Sequence, residues 1–219
     1  MEADLFLIDG EIRVAHYRAD AKPGRTLRSL YLEPLQKIAR RHDGRIHPDR
    51  PEFYLMLDYK ASGEPDVRVL HQAVTNELSG FKELLTTVED GCLTRRAVTI
   101  VLSGSRPAEV IAREPLRRWA IDGQMSDLTN SAPAHLIPWI SASWRSTFSW
   151  NGEGEFPADQ RTQLKTLVAE VHQRGRQLRF WGAPDQPVFW KTLRSEGVDL
   201  INTDKLQALA DYLTKSSDP

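Results

Sequence analysis

Three observations predict an α/β fold built on a parallel sheet. Short apolar runs alternate with longer helical patterns along the chain, as in strand-helix units packed around a covered sheet. Most runs are apolar on both faces and rich in β-branched or aromatic residues, the composition of strands buried on two sides. The chain also closes on a helical pattern at residues 206–213, as a strand-helix barrel does.

In chain order, the strand candidates are residues 5–8, 53–57, 97–102, 119–121, 137–140, 178–181 and 198–201. Between the second and third, Val67, Leu70, Val74, Leu78, Phe81 and Leu85 recur at helical spacing. Leu164, Leu167, Val168 and Val171 do so again, with Pro157 near the start and Gly175 past the end. Seven strands and no internal linker predict one domain over residues 1–219. A TIM-type (β/α)₈ barrel needs eight strands and about 250 residues. The expected architecture is therefore such a barrel lacking its N-terminal first β-strand unit. An open doubly wound sheet is the rival, but no Gly-rich phosphate loop follows any strand.

The totals narrow the function. With 29 basic against 30 acidic residues the net charge is -1, so no broad basic field exists to hold nucleic acid or an anionic membrane. A small substrate is expected instead. Cys92 stands alone, which excludes an intramolecular disulfide. No apolar run is long enough to span a bilayer and no signal pattern opens the chain, so the expectation is a cytoplasmic protein. A longer N-terminus carrying a signal peptide would change that to a secreted or envelope location.

Candidate chemistry gathers at strand ends. Glu2 and Asp4 are two apart, so on a strand they share a face. An inward pair of carboxylates costs heavily unless it holds a cation or a partner. Asp58 and Lys60 repeat the spacing at the end of an apolar strand, where barrel active sites sit. Three converging carboxylates make a hard oxygen site suited to Mg²⁺ or Ca²⁺. Each feature also has an ordinary reading: a solvated strand terminus, a loop ion pair, and for His16 a loop histidine. Ser103 and Arg106 follow a strand and suit either phosphate contact or a helix cap. Asp122 ends another strand and suits the site or a turn. Trp144 and Trp150 suit an apolar rim or, better, core packing.

The segment "EADLFLIDGEIRVAH" resembles the part of glycerophosphodiester phosphodiesterases and related phospholipase-C-like barrels in which a Glu-x-Asp strand leads through an Asp-Gly turn to a histidine. "LMLDYK" is similar to their next strand, and "LRFWGAPDQPVFWKTLRSEGVDLINTDKLQALADYL" to their C-terminal signature. "TLRSLYLEPL", "VLSGSRPAEVI" and "WRSTFSW" resemble the branch of the altered-inheritance-of-mitochondria proteins. The resemblance implies a metal-dependent phosphodiester hydrolase of lipid metabolism, acting on a glycerophosphodiester or lipid head-group. It implies a divalent cation, Mg²⁺ or Ca²⁺, on Glu2, Asp4 and Asp58. It also implies His16 as general acid, Lys60 as a phosphate-charge stabiliser and Trp181 as a wall of the substrate pocket.

The family's first strand, with a second catalytic histidine, has no counterpart here, as though the start of the gene had been placed too late. His42, His47, His71, His135 and His172 fall in patterns that do not replace it. A catalytically inactive protein that still binds metal and phosphate is therefore the alternative. A barrel glycosidase using two of the carboxylates is a weaker third reading, because it gives Lys60 no role.

Overall fold

The computed structural model describes residues 1–50 and 52–215. The chain divides into two compact units, residues 1–122 and 123–219.

In the first unit, β1 (Glu2–Ile8) turns back through Asp9 and Gly10 into β2 (Glu11–Val14). Both turn residues have positive φ, 51° and 79°, the geometry that makes Asp-Gly a favoured hairpin turn. Then follow α1 (Glu33–Arg41), β3 (Tyr54–Tyr59), α2 (Glu64–Ser79), β4 (Thr87–Glu89), β5 (Cys92–Thr94) and β6 (Thr99–Gly104). The unit ends with α3 (Ala108–Arg113), β7 (Leu116–Arg117) and β8 (Trp119–Ile121). The main sheet runs β2-β1-β3-β6-β8, and a small antiparallel sheet runs β5-β4-β7. β1, β3, β6 and β8 are parallel neighbours added in chain order. No reversal of order occurs in that sheet, unlike the topological switch of a doubly wound fold.

Leu5, Leu55, Leu57, Ile100, Val101 and Leu102 are fully buried, which explains why these strands read as apolar on both faces. Local details differ from the sequence expectation, and the short strands β4, β5 and β7 also fall outside the seven expected runs. β2 pairs antiparallel and was not anticipated, because its four residues keep Glu11 and Arg13 in ion-pair contact (2.8 Å) rather than forming an apolar run. The helical run expected to reach Leu85 ends at Ser79, with Gly80 at its cap. Phe81, Leu84 and Leu85 enter the core from the following non-helical segment. Burial alone therefore set their spacing.

The second unit contains β9 (Trp139–Ser143), α4 (Trp144–Thr147), α5 (Ala158–His172), β10 (Gln177–Trp181), α6 (Pro187–Ser195), β11 (Leu200–Ile201) and α7 (Leu206–Lys215). Its sheet is parallel and also advances in chain order, β9-β10-β11. Trp144 lies at the centre, with the rings of Phe148, Phe156, Phe180 and Phe189 at 4.6, 5.9, 5.3 and 5.1 Å. Its indole N–H donates to the Trp150 carbonyl at 2.8 Å. Trp144 and Trp150 are therefore core residues, and an apolar rim is not their role. Among the described residues, no helix is long and apolar enough to cross a membrane.

Asp185 ties the loop after β10 to the loop after β11. Its carboxylate accepts from Thr203 Oγ1 (2.6 Å), Trp190 Nε1 (3.0 Å) and the backbone N–H groups of Asp204 (2.9 Å) and Lys205 (3.1 Å). Burial works to raise its pKa, but these donors prevail and hold it below the ordinary 3.8. A depressed folded pKa contributes stability that is present above the unfolded value and lost as pH falls through the folded one. Wild-type protein should therefore lose urea resistance below about pH 4. Asp185→Asn should be weaker at neutral pH and show a smaller acid loss, measured as urea midpoints at neutral and acid pH.

Candidate functional site

Register across the parallel strands builds the site. Asp4 of β1 lies opposite Asp58 of β3, and Asp58 lies opposite Ser103 of β6. Leu102 pairs with Ile121, so Asp122 follows beside Ser103. Partners directly opposite one another in a sheet point to the same face. One polar row thus crosses four strands: Asp4, Asp58, Ser103, Asp122. Glu2, two residues before Asp4, joins it from the same strand face. Ligand oxygens of Glu2, Asp4 and Asp58 all lie within 4.8 Å of one another. Among the described residues this is the one group of three acidic, histidine or cysteine side chains so placed.

Lys60 lies across two of these acids. Its backbone N–H extends the ladder to the Leu5 carbonyl at 3.0 Å. Its Nζ then reaches Asp58 Oδ2 at 2.5 Å and Asp4 Oδ1 at 3.1 Å. Partial burial acts to lower the ammonium pKa, but the hydrogen bonds and charges of Asp58 and Asp4 outweigh it and raise it. Lys60 therefore stays charged. His16 uses the other Asp4 oxygen: Nδ1 and Oδ2 are 3.1 Å apart, positioned by the Ala15 N–H bond to the Asp4 carbonyl at 3.2 Å. The His16 side chain is 70% exposed and packs edge-on against Tyr17 at 4.5 Å. The tautomer that donates Nδ1–H to Asp4 leaves Nε2 available to exchange a proton.

Three carboxylates and one ammonium leave two negative charges, which one divalent cation would balance. The donors are all carboxylate oxygens, the hard set that suits Mg²⁺ or Ca²⁺. The residues present therefore fit such an ion.

The other expected residues are placed as follows. The Ser103 hydroxyl donates to Asp122 Oδ2 at 2.8 Å. Asp122 is itself 7% exposed. The Arg106 guanidinium donates to the carbonyls of Asp122 (2.6 Å) and Gly104 (3.2 Å), so it braces the ends of β6 and β8. Trp181 ends β10 in the second unit and is half exposed. Within residues 1–122, His16 is the histidine on the carboxylates. His71 is buried between the Tyr59 hydroxyl (3.2 Å) and Glu114 (3.3 Å), and His42 and His47 lie exposed near the end of α1. Sequence reasoning missed Tyr31, whose hydroxyl donates to the Glu2 carbonyl at 3.3 Å. Burial, then the charge of Asp4 and also that of Glu2, raise its pKa against the opposing charge of Arg25. It reaches the site from a single turn of π-helix, Arg28–Leu32, that runs into α1, a local widening that no spacing rule signals.

The profile of the AIM6-like phosphodiesterase domain matches residues 1–121. The chain belongs to this family. That span holds every residue of the carboxylate cluster, together with Lys60, His16, Ser103 and Arg106. The AIM6-like chain is similar to the altered inheritance of mitochondria protein 6 homolog of Arthroderma benhamiae, 24% identical over 97% of this chain and 74% of that one. It is also similar to altered inheritance of mitochondria protein 6 of Eremothecium gossypii (26%; 97% and 63%) and of Zygosaccharomyces rouxii (22%; 83% and 53%). The chain thus spans roughly half to three quarters of these relatives' lengths. In fold it resembles a glycerophosphodiester phosphodiesterase from Parabacteroides distasonis, with a TM-score of 0.50 and 13% identity, over 99% of this chain and 84% of that one.

Lys60→Met removes the cation that Asp4 and Asp58 share. We expect a loss of about 1–3 kcal/mol at neutral pH from two uncompensated carboxylates. Because the folded pKa of Lys60 lies above its ordinary value, the loss should shrink only as pH rises past that folded value, measured by urea unfolding at neutral and strongly alkaline pH.

Proposed function

We propose that this protein is a metal-dependent phosphodiester hydrolase acting on a glycerophosphodiester or phospholipid head-group. The observation that carries the reading is the convergence of Glu2, Asp4 and Asp58, with Lys60 across two of them and His16 on the third side of Asp4. Membership in a phosphodiesterase-domain family supports it. Glu2, Asp4 and Asp58 would hold Mg²⁺ or Ca²⁺. Such an ion, when bound, supplies charge neutralisation to a phosphate and polarises its oxygens.

The chain's own groups supply the rest. Lys60 presents a fixed ammonium at the cluster, which offsets the charge of a phosphodiester as it gains negative character. As water or a neighbouring substrate hydroxyl attacks the phosphorus and gives up its proton to solvent, His16 in its doubly protonated form, with Nδ1–H on Asp4, delivers the Nε2 proton to the departing alkoxide. Its exposure leaves room for a substrate. The same reading treats residues 1–219 as one phosphodiesterase domain of the barrel type. It assigns Ser103 and Asp122 to the rim of the site.

A second reading is a protein that binds metal and phosphate without turnover. It is favoured by the presence of one histidine, His16, on the cluster within residues 1–122, since a paired acid and base usually divide this chemistry. A panel of a bis-aryl phosphodiester, glycerophosphodiesters and lysophospholipids, assayed with Mg²⁺ or Ca²⁺, separates the two. We expect turnover that EDTA abolishes and that His16→Ala lowers about 10²–10⁴-fold. Cation binding without hydrolysis of any member would establish the second reading. Hydrolysis that survives EDTA and Asp58→Asn would sink the first.

A further inference from the structure

We propose that Gly104 is a positioning residue for Asp58: the missing side chain is what allows the Asp58 carboxylate to stand beside Asp4 and Lys60. The steric claim stands on its own, while its effect on cation binding rests on the reading above.

Gly104 closes β6 with φ of 67° and pairs with Tyr59, one residue past Asp58. A Cβ built there would stand 2.0 Å from Asp58 Oδ1, 2.6 Å from the Tyr59 carbonyl oxygen and 3.0 Å from the Tyr59 nitrogen. Something must move, and each party is held. The Tyr59 carbonyl accepts the Ser105 N–H at 3.0 Å. The Tyr59 ring is 1% exposed, and its hydroxyl is engaged behind the sheet by His71, which in turn meets Glu114. The Asp58 side chain can rotate away, but only by giving up its 2.5 Å contact with Lys60. The glycine cannot retreat either. Its carbonyl accepts the Arg106 N–H at 2.9 Å and Arg106 Nη1 at 3.2 Å, while Nη2 is bonded to the Asp122 carbonyl at 2.6 Å. A side chain at position 104 therefore displaces the carboxylate, the most mobile of the groups it meets, and with it one corner of the acidic cluster.

Positive φ alone also penalises an L-residue, so the test needs a control sharing only that cost. Gly91, in the β4–β5 hairpin, has φ of 80° and no atom within 4 Å of its built Cβ. Calorimetric titration with Mg²⁺ or Ca²⁺ should show Gly104→Ala weakening binding by roughly 10–100-fold, the scale seen when a residue supporting a ligand is altered. Gly91→Ala should leave the affinity unchanged. A merely structural role would weaken both variants' stability without separating their affinities. Urea unfolding of Gly104→Ala, Asp58→Ala and the double variant tests the contact with no metal present. The penalty of Gly104→Ala should fall when Asp58 is already truncated, since contacting residues are non-additive.

Equal penalties in the two backgrounds would overturn the assignment, whatever the titration shows. If Gly104→Ala does not fold, restoration of folding by Asp58→Ala supports it and failure to restore folding overturns it. A wild-type protein that binds no divalent cation would remove the cation reading, while the unfolding cycle still decides the steric one.

Discussion

Parallel register places two carboxylates side by side on β1 and β3, and the rest of the site answers that constraint. Asp4 and Asp58 lie opposite one another by backbone pairing, not by side-chain preference. Each is 17% exposed, so water screens their repulsion only in part. Lys60 relieves it by bonding both, and the extra charge of Glu2 leaves the group suited to a divalent ion. His16 then finds the second oxygen of Asp4 because the β1–β2 hairpin returns the chain to its own start. The acidic cluster, the ammonium across it and the imidazole beside it thus descend from one pairing.

The back of the same strand holds that pairing still. Alternation along β3 sends Asp58 to the polar face and Leu57 and Tyr59 to the buried one. Tyr59, His71 and Glu114 form a chain of polar contacts under the strand end, with Trp119 edge-on to the imidazole at 4.8 Å. Burial, then the charge of Glu114, raise the Tyr59 pKa well above its usual value, so the hydroxyl stays protonated and able to donate. A strand end fixed on both faces keeps neighbouring carboxylates in one geometry, as a site that binds an ion needs.

Much of this was legible in the chain itself. Two-residue spacings announced Glu2 with Asp4 and Asp58 with Lys60 as same-face pairs, and both-sided apolar runs announced the parallel strands. The antiparallel β2 was hidden because its polar residues are satisfied by local ion pairs. The end of α2 was blurred because Phe81 and Leu85 are buried for tertiary reasons while keeping a helix-like spacing. Tyr31 was illegible, since the π-helical turn that carries it to the site has no spacing signature. Ser103, Arg106 and Asp122 could be named as strand-end residues. That Arg106 spends its donors on carbonyls, and that Ser103 donates to Asp122, depended on contacts no spacing rule reports.

The sequence by itself determined the α/β class, the order of the main strands and the acidic and basic residues brought to their ends, because these follow from hydrophobic period and alternation. Only the tertiary structure decided which residues meet: Asp4 with Asp58, Lys60 with both, and Gly104 with Asp58. Those meetings depend on register between strands roughly fifty residues apart in the chain. A one-residue slip would turn every side chain of a strand to the opposite face and dissolve the site, with no change in composition or periodicity.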